Sequence, residues 1–217
     1  FGTGALVASG IMAALLRRTN VFHLGLKTHL ELGGYLQAFD VSMMCYTITD
    51  EFKKQVNSTR MDYDLYKRII DEIGGHVPAI RLSLRGEATL HTKFIEAISY
   101  AKQKGVKEVS TLTHGGKFTL PYFKKAVKAG IDWITISIDG VGATYESIRG
   151  PLKFDDLLDK IKAIKRYKDE HGLHRPVIKV QGIWPAIREN PKQYYDTFAP
   201  YVDLVAFNPL IDYLGND

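Results

Sequence analysis

A single cysteine, Cys45, stands in a chain of 217 residues, so no internal disulfide can form. Such sparse cysteine use fits a reducing compartment, with the cytoplasm as the default. Charge of one sign is not concentrated anywhere: 29 basic and 24 acidic residues leave a net charge of +5, without the like-charged block that marks a nucleic-acid tail. Long apolar runs are also missing. The stretch from Gly4 to Leu16, ended by Arg17 and Arg18, falls short of the roughly 20 residues a membrane-spanning helix needs. Its basic residues follow the apolar run, whereas a secretory signal carries them in front. This stretch reads as a packed or docking helix, and no membrane partner is expected. The opening Phe1, where a gene product would carry Met, is compatible with a numbering that begins inside a longer protein. What is present is ample core material, 45% hydrophobic against 24% charged residues, enough for one large domain over 1–217.

Residues 1–50 hold only six charged side chains, and their periodicity is blurred, so 1–34 forms a poorly defined N-terminal segment. From 60 onward the pattern is clean. Met61-Asp62 opens a helix with Leu65, Ile69 and Ile73 as its expected apolar face, stopped by Gly74-Gly75. Strand-period runs at 79–84, 108–112, 133–138, 177–181 and 204–207 alternate with helical runs at 92–104, 120–129, 154–168 and 191–198. Gly105, Gly130 and Gly172 punctuate the returns. Units of about 30 residues imply parallel strands joined by right-handed crossovers. With a first strand placed loosely between Tyr35 and Val41, the expectation is an α/β fold, a partial TIM-type barrel of (βα)6 form with outer helices over 35–214.

Each expected strand ends in polar or special residues: Gly86 and Glu87, then Thr113, His114 and Gly115, then Ser137 and Asp139, then Gln181, then Asn208 and Pro209. In parallel α/β folds ligands bind at that end. A lone Gly-Glu says little; several such ends in register point to one shared site.

The order and spacing of these loops resemble the radical SAM superfamily over about 60–214, most closely its branch with an added SPASM-type cluster domain. Gly86-Glu87 is similar to the glycine-glutamate motif after the second strand, and Thr113-His114-Gly115 to the Thr-Asn-Gly after the third. Ser137-Ile138-Asp139-Gly140 is similar to Ser-x-Asp-Gly after the fourth, and Ile148-Arg149-Gly150 to the Ile-Arg-Gly beyond it. The resemblance implies S-adenosylmethionine as cofactor. Carbonyls near Gly86 and Glu87 would take its ammonium, Ser137 and Asp139 its ribose or carboxylate, and Arg149 its carboxylate; Thr113 and Gln181 complete the implied rim. A planar guanidinium suits a carboxylate. The competing expectation for Arg149 is a surface ion pair with Asp155 or Glu146. A small-molecule or peptide substrate is implied, and no catalytic residue is assigned.

The same resemblance implies a four-iron four-sulfur cluster on a Cys-x3-Cys-x2-Cys loop after the first strand. Asp40-Val41-Ser42-Met43-Met44-Cys45-Tyr46 has the texture of that loop, but the two other ligand positions hold Ala38 and Ser42. Clusters are held by thiolates, so none is expected to assemble and the radical activity is expected to be absent. Ala88, where relatives usually have proline, and His114, where they have asparagine, are further departures. Two alternatives stand beside this reading: a non-catalytic binder of S-adenosylmethionine or a nucleoside, and an unrelated barrel enzyme using Glu87 and Asp139 as an acid–base pair.

His23 with His29, and His171 with His174, lack a third ligand and read as solvated or capping side chains. His114-Gly115-Gly116-Lys117 lacks the upstream glycine of a phosphate loop. Tyr194, Tyr195, Phe198 and Tyr201 have helical spacing and are expected to pack, while Trp184-Pro185 falls where it can wall a pocket.

Overall fold

The computed structural model describes residues 60–83 and 86–209. The expected first strand, the loop carrying Ala38, Ser42 and Cys45, the apolar helix, His23, His29, Leu84 and Arg85 lie outside them. Five parallel strands form one sheet in sequence order: β1 (Ala79–Arg81), β2 (Glu108–Thr113), β3 (Trp133–Ser137), β4 (Val177–Ile183) and β5 (Leu204–Asn208). Helices α1 (Tyr63–Ile73), α2 (Phe94–Gln103), α3 (Leu120–Ala129), α4 (Ala143–Arg149), α5 (Phe154–Glu170), α6 (Trp184–Ile187) and α7 (Pro191–Phe198) surround it. This is the α/β architecture of a partial TIM-type barrel.

Local chemistry explains where the elements begin. Asp62 caps α1 by accepting from Leu65 N at 2.8 Å, so Met61-Asp62 opens the helix as expected. The buried face differs from the expected one: Tyr66 and Ile70 are buried while Leu65 and Ile69 are only half-buried. The Tyr66 hydroxyl donates to Ala97 O at 2.8 Å, which rotates the helix toward its tyrosine side. β1 stops at Arg81, not at residue 84. Leu82 N still donates to Ser110 O, but the chain then leaves the ladder for the Gly86 turn. The expected elements missed α4 and α6, both short and without an apolar stripe.

The amino ends of the strands are fastened twice by the same device. Asp132, just before β3, accepts from Val109 N at 2.8 Å and from Lys102 Nζ at 2.9 Å, and the same ammonium reaches Lys107 O at 2.7 Å. Asp203, just before β5, accepts from Ile178 N at 2.7 Å and from Lys168 Nζ at 2.5 Å, and that ammonium reaches Pro176 O at 2.7 Å. In each case the carboxylate satisfies a strand donor and the lysine of the preceding helix neutralises it.

One face of the sheet carries Ile80, Val109, Ile134, Ile136, Ile178 and Val180 into the helix layer, where they join Ile98, Phe123, Ile161 and Phe198. Register places Ser110 against Trp133, Leu112 against Thr135 and Ser137 against Gln181 on the opposite, inner face.

Candidate functional site

Two buried carboxylates organise the rim at the carboxyl ends of the strands. The first is Glu87. Gly86 turns the chain with φ +91°, a conformation that side-chain-bearing residues rarely adopt, and apart from its chain neighbours no atom of the described residues lies within 4 Å of where its Cβ would be. Glu87 then caps the short turn Ala88–Leu90. Its Oε1 accepts from Thr89 N at 3.2 Å, from the Thr89 hydroxyl and from Thr113 Oγ1 at 2.6 Å, while Oε2 accepts from His114 N at 2.8 Å. Thr113 Oγ1 in turn accepts from Gly115 N at 3.0 Å. With its side chain 4% exposed, Glu87 ties the tip of β1 to the tip of β2.

The second carboxylate is Asp139, fully buried past the end of β3. Its Oδ2 accepts from Arg149 Nε at 2.7 Å and from a second Arg149 nitrogen, and its Oδ1 accepts from Ile183 N at 3.1 Å. The same Arg149 nitrogen donates to Ser137 Oγ at 2.8 Å. Neither Asp155 nor Glu146 receives this guanidinium as the surface-pair alternative expected. Glu146 binds Lys153 at 2.8 Å, and Arg149 is buried with Asp139 because α4 delivers its last residue onto the β3 tip. The arrangement joins β3, α4 and β4.

Around these two clusters the structure gathers the other residues singled out by sequence. Gln181 sits opposite Ser137, and its Oε1 accepts from Lys179 Nζ at 2.6 Å. His114 lies beside Glu87, with Nε2 3.5 Å from Oε2 and Nδ1 accepting from Gly116 N at 2.9 Å. Trp184 begins α6 at the end of β4 and meets Phe207 with ring centroids 4.9 Å apart and planes tilted by 39°; both are exposed. Tyr194 and Phe198 are buried as expected, whereas Tyr195 is exposed. His171 caps α5, its Nδ1 2.9 Å from Tyr167 O.

Sequence reasoning missed two contributors, Ser83 and Tyr145, and the hydrogen bond made by a third, Tyr194. Ser83 Oγ is buried without a partner just past the end of β1. The Tyr145 hydroxyl is likewise buried and unpartnered, and desolvation pushes it up to about 12 against a smaller opposing pull from Arg149. Tyr194 donates to Ile138 O at 2.8 Å, and burial raises its hydroxyl well above the ordinary range. Gly182 makes room for that contact, since a Cβ there would stand 2.7 Å from Ile138 O and 2.9 Å from the Tyr194 hydroxyl. An unpartnered hydroxyl or a close backbone approach leaves no periodic mark in a sequence.

Residues 41–190 match the radical SAM superfamily. The chain belongs to that superfamily. Among curated proteins it is similar to the tungsten-containing aldehyde ferredoxin oxidoreductase cofactor-modifying protein of Pyrococcus furiosus, 28% identical over 137 residues, which cover 61% of this chain and 37% of that protein. It is also similar to the Fe-coproporphyrin III synthase of Methanosarcina barkeri, 29% identical over 84 residues, 39% of this chain and 21% of that one. The match thus spans well under half the length of either relative. S-adenosylmethionine and a four-iron four-sulfur cluster are general to the superfamily. Among the described residues no helix is long and apolar enough to cross a membrane, and no three His, Cys, Asp or Glu side chains gather as a metal site.

Proposed function

We propose that this chain is a radical SAM core that binds S-adenosylmethionine at the carboxyl ends of its strands but does not generate the deoxyadenosyl radical by itself. The observation that carries the reading is the rim itself: Thr113 and Ser137 end adjacent parallel strands, Gln181 pairs with Ser137 near the end of β4, and Glu87, in the loop after β1, is bound to Thr113 and His114. Among the described residues nothing crowds Gly86, and Ser83 holds an unpartnered hydroxyl at the same end, which suits a ligand's polar group. In this reading the carbonyls near Gly86 and Glu87 accept from the methionyl ammonium, Ser137 contacts the ribose or carboxylate, and Arg149, which holds Ser137, adds its positive charge on the side of the carboxylate. Glu87 and Asp139 act by holding these elements in place. When bound, the cluster of active family members supplies the electron that splits the cofactor.

Its ligand set does not fit here, since three thiolates are required and the chain has one, with Ala38 and Ser42 at the other two positions. A SPASM-type relationship, a cytoplasmic setting, a single domain over 1–217 and a small-molecule or peptide substrate belong to the same proposal. The alternative acid–base enzyme loses support, because both of its carboxylates are buried and already hydrogen-bonded.

Calorimetric titration with S-adenosylmethionine tests the binding step. A saturable signal that weakens in Ser137→Ala is expected, and no heat in the parent protein would overturn the reading. Anaerobic reconstitution with iron and sulfide tests the second step: iron and cofactor cleavage are expected only after Ala38→Cys with Ser42→Cys. A stoichiometric cluster on the unaltered chain would refute it.

A further inference from the structure

Ser137 of β3 and Gln181 of β4 stand side by side on the inner face of the sheet, paired in register and therefore about 4.8 Å apart at Cα. Both are half-buried near the carboxyl ends of their strands. Each side-chain oxygen is already taken by a cation that can only donate. Arg149 donates to Ser137 Oγ at 2.8 Å, and Lys179 Nζ donates to Gln181 Oε1 at 2.6 Å. Lys179 is engaged elsewhere as well, so this contact matters for how it turns the amide and not for its charge. The hydrogen-bond network tells the two ends of a carboxamide apart, and an ammonium can meet only the oxygen. The NH2 group of Gln181 therefore points away from Lys179. Two amide hydrogens and the Ser137 hydroxyl hydrogen are what the pair has left to offer, and no group among the described residues accepts them. A hydroxyl that accepts from a guanidinium is polarised into a stronger donor. The frame beneath is fastened, since Ile138 N donates to Gln181 O at 2.9 Å and Ile183 N to Asp139 Oδ1 at 3.1 Å. Donors fixed on strands suit the recognition of one group in one orientation.

We propose that the Ser137 hydroxyl and the Gln181 amide together hold a ligand carboxylate. A carboxylate brings about four acceptor positions and no hydrogen, so it takes both donors at once. A ligand hydroxyl or amide offers fewer acceptor positions, and carries hydrogens that these donors cannot receive. Hydrogen bonds to an ionised acceptor are also the stronger ones. The inference rests on the reading of the rim as an S-adenosylmethionine site and narrows it, with Gln181 as the residue that decides which group is recognised. Two sources carry that group, the methionyl end of the cofactor and an acidic second ligand, and titration separates them.

Calorimetry on the full chain at constant ionic strength compares S-adenosylmethionine with its decarboxylated analogue, which keeps the sulfonium and the adenosine. Succinate is titrated separately, with and without saturating S-adenosylmethionine. The parent is expected to bind S-adenosylmethionine about tenfold or more tighter than the analogue, or to bind succinate saturably, as a charge-assisted hydrogen bond requires. Gln181→Glu keeps the size of the side chain and replaces its amide hydrogens by a second acceptor; Gln181→Met removes them without adding charge. Both should weaken the carboxylate-dependent signal about tenfold or more and leave the decarboxylated analogue within about threefold. Gln103→Glu, at the exposed end of α2, makes the same change in net charge and should match the parent. Circular dichroism establishes that the variants are folded, and Gln181→Met decides if Gln181→Glu is not. Gln181 dependence within the adenosyl pair assigns the carboxylate to the cofactor. Dependence confined to succinate, and unchanged by S-adenosylmethionine, assigns it to a second ligand. If S-adenosylmethionine binds parent and Gln181 variants alike and succinate shows no Gln181 dependence, the inference is overturned while the cofactor reading stands. Gln181-dependent succinate binding in a protein that gives no heat with S-adenosylmethionine would overturn the cofactor reading and leave the donor pair standing. No heat with any of the three ligands would overturn both.

Discussion

Asp139 and Arg149, ten residues apart in sequence, form an ion pair from which solvent is almost wholly excluded, with side chains 0% and 3% exposed. Breaking one partner of such a pair costs about 3–5 kcal/mol, because the survivor is a buried uncompensated charge. Arg149→Met is therefore expected to lower unfolding free energy by that amount in urea melts, and Asp139→Leu with Arg149→Met to recover most of it. A double variant no more stable than Arg149→Met would show that the pair itself supplies the stability. This coupling is why Ser137→Ala, which leaves the pair intact, is the sounder probe of cofactor binding.

Glu87 is expected to behave as a fastener. Glu87→Ala removes the acceptor for four donors and leaves His114 N and Thr113 Oγ1 without their carboxylate. Hydrogen bonds to a charged group contribute about 1.5–3 kcal/mol each, though not additively, so a loss of about 3 kcal/mol is expected, with Glu87→Gln milder. Hydrogen exchange at His114 and Gly115 should accelerate before that of β3. Unchanged protection there would refute the fastening role.

Tyr145→Phe removes a buried hydroxyl that has no partner. The substitution is expected to be neutral or to stabilise by about 1 kcal/mol at pH 7, since an unsatisfied polar group carries a desolvation penalty. At high pH the advantage of Tyr145→Phe over the parent is expected to grow. Burial raises the folded hydroxyls of Tyr66, Tyr145 and Tyr194 above their ordinary value near 10, with Tyr145 reaching about 12. Between those values the folded state holds protons that the unfolded state has released, so stability falls as pH rises, by up to about 1.4 kcal/mol per pH unit per tyrosine. Urea midpoints should be level to about pH 9.5 and drop from pH 10 upward, less steeply in Tyr145→Phe. A flat profile to pH 12 would contradict this.

Gly182→Ala is expected to cost about 2–3 kcal/mol, because the added carbon meets backbone at Ile138 O and forces Tyr194 from its hydrogen bond. Burial of Tyr194 can be followed by its ultraviolet absorbance, which should move toward that of a solvated phenol. If the variant melts like the parent, the contact between the β3 and β4 tips is looser than the geometry requires.

The alternation of periods two and 3.6, broken by glycines, was sufficient to place all five described strands and the helices α1, α2, α3, α5 and α7, because burial against a helix layer imposes those repeats locally. It also placed Thr113 and Ser137 at the ends of β2 and β3, with Asp139 just beyond; β1 ends earlier than expected, at Arg81, and β4 runs two residues past Gln181, to Ile183. Tertiary structure alone decided what those residues touch. That Arg149 turns to Asp139 and not to Glu146, that Glu87 binds the next strand's tip, and that Gln181 stands beside Ser137 all depend on strand register. Register is set by pairings across tens of residues, and neighbours along the chain do not encode it.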